Sequence, residues 1–233
     1  MKIEIWSDVM CPFCYIGKRR FEHALEQFEH KDEVQVEWKS FQLNPDLVTD
    51  TTISNAQYLA DKKGFSLDHA QHLQNSVSQM AAEVGLTYNL DKAVVANSFD
   101  AHRFAHLAKQ KGLGDEAEEA LFKAYFTDTK NIADHEVLAQ LGSSIGLDAQ
   151  EVHHTISGNK FAIDVNKDVA EASQLGINAV PFFVMDRKYG VSGAQAVPVF
   201  LQTLEKAYDD WKTTQQPALD VVNGESCEVG GDC

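Results

Sequence analysis

The first forty residues carry a strand–helix–strand pattern, and it limits the fold more than any other feature of the chain. Residues 3–7 alternate as in a strand, residues 12–28 place apolar side chains at helical spacing, and residues 34–41 alternate again with period two. Pro12 suits the first turn of a helix, where its missing N–H costs no hydrogen bond. The short crossover favours a parallel pair of strands, so we expect a β-α-β unit.

The middle of the chain has a different pattern of apolar residues, because strand-like alternation is almost absent from it. Helices are predicted over residues 54–62, 66–84, 92–111, 115–127, 134–145 and 148–157. Helices and strands are then predicted together again, with a helix over 160–175, strands over 182–185 and 189–192, and a helix over 197–211. The order predicts an α/β sheet interrupted by a helical insertion. The domains would be residues 1–50 with 159–211, the insertion 51–158, and a tail 212–233.

The charge of the chain argues against nucleic-acid and membrane partners. Lys and Arg number 20 and Asp and Glu number 35, so the formal net charge is −15. A chain this acidic is repelled by phosphate backbones and anionic lipid. Uninterrupted apolar stretches also fall far short of the roughly 18 residues that a spanning helix needs. We therefore expect no nucleic acid and no membrane among the partners.

The N-terminus predicts a cytoplasmic protein. The residues after Met1 alternate like a strand and lack the apolar run and small-residue cleavage site of an export signal. In a reducing compartment structural disulfides are rare, so two closely spaced cysteines favour catalysis or metal binding.

The cysteine pair Cys11 and Cys14 lies between the first strand and the first helix. Unpaired N–H groups and the dipole at a helix N-terminus stabilise a thiolate, which is the nucleophile in disulfide exchange. Cys14 follows one turn later, close enough to close a disulfide. This placement predicts that Cys11 attacks and Cys14 resolves. Half of a zinc site, or two inert packed thiols, are the alternatives.

Two separated segments together resemble one family, the DsbA-like thioredoxin-fold oxidoreductases, and within it the FrnE branch. The first segment reads Ser7-Asp8-x-x-Cys11-Pro12-x-Cys14-Tyr15-x-Gly17. The second reads Val180-Pro181-Phe182-Phe183, followed by Tyr189 and Gly193-Ala194-Gln195. The resemblance covers roughly residues 1–210. It implies a thioredoxin-like fold with a helical insertion, and thiol–disulfide exchange as the activity.

The resemblance also implies a substrate site. Val180 and Pro181 would form a cis-proline loop that faces the cysteine pair and binds an extended substrate segment. Phe13, between the cysteines, is a further candidate contact or a residue that tunes exposure. Asn97 and His102 resemble a FrnE segment within the insertion and are candidates for the substrate groove, although packing on a helix is the alternative. No metal site is predicted.

Relatives in the same superfamily leave a rival activity open. In 2-hydroxychromene-2-carboxylate isomerases and kappa-class glutathione transferases, a serine typically stands where this chain has Cys11, and the reaction uses glutathione. Two cysteines favour disulfide exchange instead. We expect no cofactor besides the Cys11–Cys14 couple. Disulfide- or thiol-bearing proteins or small thiols would be the substrates, and glutathione or another thiol the electron partner.

The last two cysteines, Cys227 and Cys233, stand near the end of a polar, glycine-bearing tail. A flexible coil from Trp211 to Cys227, about 16 residues, spans roughly 20–24 Å. Such a tether gives a thiol a high effective concentration near the first pair. A second redox pair that exchanges with Cys11 and Cys14 is one interpretation, and a spectator clip is the other.

Overall fold

The computed structural model describes residues 1–215. Four strands form one mixed sheet: β1 (Lys2–Ser7), β2 (Gln35–Ser40), β3 (Phe182–Met185) and β4 (Tyr189–Ser192). Their order across the sheet is β2-β1-β3-β4. The predicted parallel pairing of β1 with β2 is confirmed, and it sets Ser7 opposite Ser40. The predicted hairpin is confirmed as well, because β3 and β4 pair antiparallel and β3 also runs antiparallel to β1.

Two helices pack on the sheet from the same side and enclose its smaller core. They are the first and last helices of the described chain, α1 (Pro12–Gln27) and α9 (Val197–Gln215). Ile3 and Ile5 on β1 share an apolar cluster with Phe21 of α1 and Phe200 of α9. Because alternate residues of a strand point to the same side, Ser7 belongs to this face too.

Seven further helices lie between β2 and β3 in the described chain. They are α2 (Asn55–Lys63), α3 (Leu67–Ala82), α4 (Phe99–Gln110), α5 (Gly114–Phe122), α6 (His135–Ser144), α7 (Ala149–Ser157) and α8 (Ala162–Gln174). A π-helical turn, Lys123–Thr127, continues α5, and a short 3-10 turn, Lys31–Glu33, precedes β2. The larger apolar core runs from Trp6, Cys11 and Cys14 into these helices. The division into two domains stays a prediction.

Two predicted helix boundaries were wrong. The helix predicted over 92–111 begins only at Phe99, and residues 92–98 form an irregular segment. There Val95 bridges Asp50, and the Asn97 carboxamide oxygen accepts a hydrogen bond from the Phe99 N–H at 2.8 Å, so the chain is tied outside the helix. The last helix continues past Trp211, where the sequence predicts that it ends, and reaches Gln215.

One ion pair and one hydrogen bond connect the last turns of α9 to Glu33. Lys212 lies 2.6 Å from Glu33, and Tyr208 donates a hydrogen bond to the same carboxylate at 2.5 Å. Polar contacts therefore hold a turn that lacks apolar side chains. Over residues 1–215, every helix is too short or too polar to cross a lipid bilayer.

Candidate active site

The cysteine pair lies where the sequence predicts, at the junction of β1 and α1. Cys11 is the N-cap of α1 with an extended backbone, and Pro12 is the first helical residue. The Cys11 N–H donates to the carbonyl of Asp8 at 2.9 Å, which closes a turn between strand and helix. Both cysteines are free thiols. Cys11 thus stands at the helix N-terminus, where the first backbone N–H groups have no partner within the helix.

The two sulfurs occupy different environments. Cys11 is 4% exposed and borders an open cleft, whereas Cys14 is 1% exposed and does not line that cleft. Burial raises the pKa of the Cys14 thiol well above its ordinary value, and the adjacent Cys11 adds to the rise. Only Cys11 can therefore meet a substrate that enters the cleft, and Cys14 remains protonated at neutral pH.

The loop before β3 lies across from the cysteines. Its Val180–Pro181 peptide bond is cis, as the family resemblance implies. The Cys11 thiol donates a hydrogen bond to the Val180 carbonyl at 3.4 Å. Pro181 also approaches α1 closely at Gly17, where an added Cβ would lie only 2.9 Å from the proline Cγ. A side chain at position 17 would therefore push the loop away from the helix.

The cleft in front of Cys11 has a volume of about 510 Å³. Predicted substrate contacts meet there, because Phe13 and Val180 line it beside Cys11 and Pro181 follows directly in the loop. Its remaining apolar walls come from the segment after β2, from α2, α3 and the segment between them, and from the π-helical turn and the segment before α4. These residues are Leu43, Leu59, Phe65, Leu73, Val77, Leu90, Tyr125 and Phe126.

Sequence reasoning missed these apolar walls. Phe13, Leu43, Phe65 and Leu73 are all more than a third exposed, and all four border the cleft. Exposed apolar side chains gathered around a reactive group are typical of binding surfaces. Phe65 and Leu73 could have been noticed in the sequence as apolar residues in a weakly apolar part of the chain. That they lie on the same cleft is visible only from the packing of α2 and α3.

Asn97 and His102 do not line the cleft. The Asn97 amide donates to the carbonyl oxygens of Pro45 and Leu47, at 3.2 and 2.7 Å, and so fixes the segment after β2. His102 is buried on α4, with its Nε2 3.5 Å from the Asp8 carboxylate. Neither side chain borders the cleft, but each contacts a segment of the chain that lies next to it.

Asp8 ties the cysteine turn to the cleft wall. Its fully buried carboxylate accepts hydrogen bonds from the N–H groups of Met10, at 3.2 Å, and Leu43, at 2.8 Å. Met10 and Leu43 both border the cleft. One carboxylate therefore holds both the turn before Cys11 and the segment after β2 that faces it.

A small cluster of ionisable groups lies behind this turn. Burial opposes protonation of His102, but the contact with Asp8 and the charges of Asp8 and Glu118 outweigh it and raise the His102 pKa. Burial also raises the pKa of Glu118 to about 7. The neighbouring His106 faces away, to Asp168 at 3.1 Å, so the two histidines do not converge. Within residues 1–215, no three potential metal ligands gather at one point.

The two cysteines of the tail lie outside the described residues. The interpretation of Cys227 and Cys233 as a second redox pair therefore stays a prediction.

Comparisons with known proteins agree on the family. Residues 2–205 match the model of the DSBA-like thioredoxin domain. The crystal structure of a probable DsbA oxidoreductase from Streptomyces coelicolor is 39% identical, covers 99% of this chain and 97% of its own, and superposes with a TM-score of 0.86. An uncharacterised Bacillus subtilis protein, YwbO, is 29% identical over 89% of this chain and 96% of its own.

A more distant structure shares the fold. The cytosolic disulfide reductase DsbM from Pseudomonas aeruginosa, solved with glutathione, is 16% identical, covers 93% of this chain and all of its own, and has a TM-score of 0.62. The predicted thioredoxin-like α/β fold with inserted helices is confirmed by these matches. The chain belongs to the family of DsbA-like thioredoxin domains.

Proposed function

We propose that this chain is a thiol–disulfide oxidoreductase in which Cys11 exchanges with the substrate and Cys14 resolves the intermediate. The observation that carries the proposal is the asymmetry of the pair: Cys11 caps a helix and borders an open cleft, and Cys14 is buried behind it. Family membership supports it, since DsbA-like proteins are generally thiol–disulfide oxidoreductases. The closer assignment to the FrnE branch stays a prediction.

The chemistry follows from this placement. In the reducing direction the Cys11 thiolate attacks a substrate disulfide, a Cys11–substrate disulfide forms, and the first substrate sulfur leaves and takes up a proton. Cys14 then loses its proton and attacks the Cys11 sulfur, so that the Cys11–Cys14 bond forms and the second substrate sulfur leaves as a thiol. The substrate gains two electrons and the protein loses two. The oxidising direction runs through the same steps in reverse.

The different environments of the two thiols keep these steps in order. Cys11 lies at the N-terminus of α1 beside the open cleft, while burial holds the pKa of Cys14 high. Cys14 consequently keeps its proton until the mixed disulfide places an electrophilic sulfur beside it.

The cleft suits a cysteine that is flanked by apolar groups. Its walls are mostly apolar, and Val180 places a backbone carbonyl beside Cys11. We propose disulfide- or thiol-bearing proteins and small thiols as substrates, with glutathione or another thiol as electron partner and no resident cofactor. A cytoplasmic location is part of the proposal, and the cytosolic DsbM, which has the same fold, is in keeping with it.

The proposal is tested by insulin reduction with dithiothreitol as electron source, comparing the wild type with Cys11→Ser and Cys14→Ser. The wild type should accelerate precipitation of the insulin B chain, and Cys11→Ser should be as slow as buffer. Equal inactivity of wild type and Cys11→Ser toward insulin and toward small disulfides would refute the proposal.

The wild type and the two cysteine variants also distinguish the proposed function from two alternative functions. A glutathione-dependent isomerase or transferase predicts glutathione binding and an activity that survives Cys14→Ser. A zinc-binding module predicts stoichiometric zinc and loss of the fold on chelation. We expect Cys14→Ser to stop multiple turnover and a chelator to leave the circular dichroism spectrum unchanged.

A further inference from the structure

Ser7 is the last residue of β1, and α1 begins five residues later at Pro12. It shares the face of the strand that carries Ile3 and Ile5, and this face packs against α1. The buried residues Cys14, Gly17, Phe21 and Ala24 form one stripe along α1 at helical spacing, and Phe21 and Ala24 of this stripe pack on that face of the sheet. Cys14 is the first of this stripe and Ser7 the last of the strand face. This places Ser7 and Cys14 at the same end of β1 and α1.

The environment of Cys14 reflects this neighbour. Burial raises the pKa of the Cys14 thiol and the adjacent Cys11 adds to the rise, whereas the Ser7 hydroxyl and the backbone N–H of Asp8 act in the opposite direction. Both of these groups are hydrogen-bond donors, and a donor lowers a thiol pKa because it stabilises the thiolate more than the thiol.

The Ser7 hydroxyl is unsatisfied while Cys14 is a thiol. Its oxygen is buried, the residue is only 1% exposed, and it forms no hydrogen bond within residues 1–215. A buried hydroxyl without a partner costs free energy, and native proteins keep few of them. A thiol sulfur is a weak acceptor, but a thiolate is a strong one. The hydroxyl would gain its partner when Cys14 ionises.

We infer that Ser7 is a catalytic residue of the resolving step, whose hydroxyl donates a hydrogen bond to the Cys14 sulfur as negative charge develops there. The inference rests on the proposed function. When Cys14 resolves the mixed disulfide, it loses its proton, attacks the Cys11 sulfur and displaces the substrate thiolate. In the opposite direction a substrate thiolate attacks Cys11 and Cys14 leaves as the thiolate. Ser7 serves both directions, because both pass through an ionised Cys14.

The inference predicts that Ser7 affects the second step of exchange and leaves the first unchanged. The reduced protein is mixed in a stopped-flow instrument with an aromatic disulfide that releases an absorbing thiolate in each step. The first burst reports attack by Cys11 and the second reports resolution by Cys14. Ser7→Ala should keep the rate of the first burst and slow the second about tenfold, as expected for loss of one hydrogen bond to a charged group.

A matched control is available in the helical part of the chain. Thr155 on α7 also has a buried hydroxyl without a hydrogen-bond partner in residues 1–215, and it does not line the cleft. Thr155→Val should change neither burst, which separates a specific role of Ser7 from the general effect of removing a buried hydroxyl. If Ser7→Ala does not fold, the mutually isosteric variants Ser7→Thr and Ser7→Val make the same comparison, with slow resolution expected only for valine.

A second readout does not depend on turnover. In the Cys11→Ala background, thiolate absorbance at 240 nm follows the titration of Cys14, and its pKa should rise when Ser7→Ala is added. An unchanged titration together with an unchanged second burst would overturn the role of Ser7 while leaving the proposed function intact. Absence of both bursts from the wild type would instead refute the proposed function itself.

Discussion

Gly17 connects the helix that carries the cysteines to the proline loop opposite them. An added Cβ at this position would lie 2.9 Å from the Pro181 Cγ, 3.5 Å from the Phe183 Cζ and 3.6 Å from the Ala194 Cα. The two longer distances are ordinary contacts, but the first is not. Because carbon atoms prefer a separation of about 3.5–4.0 Å, Gly17→Ala must separate α1 from the loop by about 0.5 Å or more.

The effect on stability should be small, since two contributions oppose each other. Inserting a methyl group into a packed site typically costs about 1–3 kcal/mol. Replacing glycine by alanine inside a helix returns about 1 kcal/mol. We therefore expect Gly17→Ala to lower the free energy of unfolding by about 0–2 kcal/mol.

The effect on exchange should be larger. Val180 precedes Pro181 and accepts the hydrogen bond from Cys11, so a displaced loop moves this carbonyl away from the reacting sulfur. Misplacement by about 1 Å can cost a hundredfold in rate, and a shift half as large is expected to lower kcat/KM for insulin reduction about tenfold.

A second glycine provides the control. Gly142 lies in α6, where an added Cβ would meet the Val152 Cγ2 at 2.7 Å, and neither residue borders the cleft. Gly142→Ala should lower the urea midpoint at least as much as Gly17→Ala but leave kcat/KM unchanged. Equal kcat/KM for the two variants would show that the contact between α1 and the Pro181 loop has no special role in exchange, and would refute the reasoning.

Three further changes test other parts of the site. The Glu118 carboxyl has a pKa of about 7 when folded and an ordinary value of 4.5, so it favours folding below pH 4.5 and loses this contribution as the pH rises through 7. Urea titrations at pH 5 and pH 8 measure the free energy of unfolding of Glu118→Gln relative to the wild type. This relative free energy should be roughly 2 kcal/mol higher at pH 8 than at pH 5, and equal values at the two pH values would contradict the assignment. Phe65→Ala should raise KM for cysteine peptides with apolar neighbours and leave reaction with dithiothreitol unchanged, since Phe65 lines the cleft and is 39% exposed; equal KM values would remove Phe65 from the binding surface. If the tail cysteines exchange with the first pair, Cys227→Ser with Cys233→Ser should lower turnover with glutathione, and an unchanged turnover and reduction potential would exclude the relay.

Local patterns predict much of the sheet and its cysteine helix. Strand alternation, the proline after Cys11 and the strand pair near the C-terminus are encoded within a few residues each, and β1, α1, β2 and the β3–β4 hairpin all form. Cys11, Cys14 and Pro181 can be found for the same reason, because short motifs carry them. The resemblance to a family then places two distant motifs in one site.

Contacts between distant segments account for what could not be predicted. The start of α4 at Phe99 depends on Asn97, whose partners Pro45 and Leu47 belong to another part of the chain. The apolar cleft depends on the way α2 and α3 pack over Cys11. Ser7 can be noticed in the first motif, but its unsatisfied hydroxyl is visible only once α1 is packed on β1.

The most direct test is to identify the cysteine that bonds to a substrate. The single variants Cys11→Ser and Cys14→Ser are incubated with the same disulfide-bearing peptide, quenched with acid, and measured by intact-mass and peptide-mapping mass spectrometry. The asymmetry of exposure and of the helix N-terminus predicts a stable mixed disulfide on Cys11 in Cys14→Ser and no adduct in Cys11→Ser. An adduct on Cys14 in the Cys11→Ser variant, formed as fast as the first, would contradict the assignment of Cys11 as the exchanging thiol.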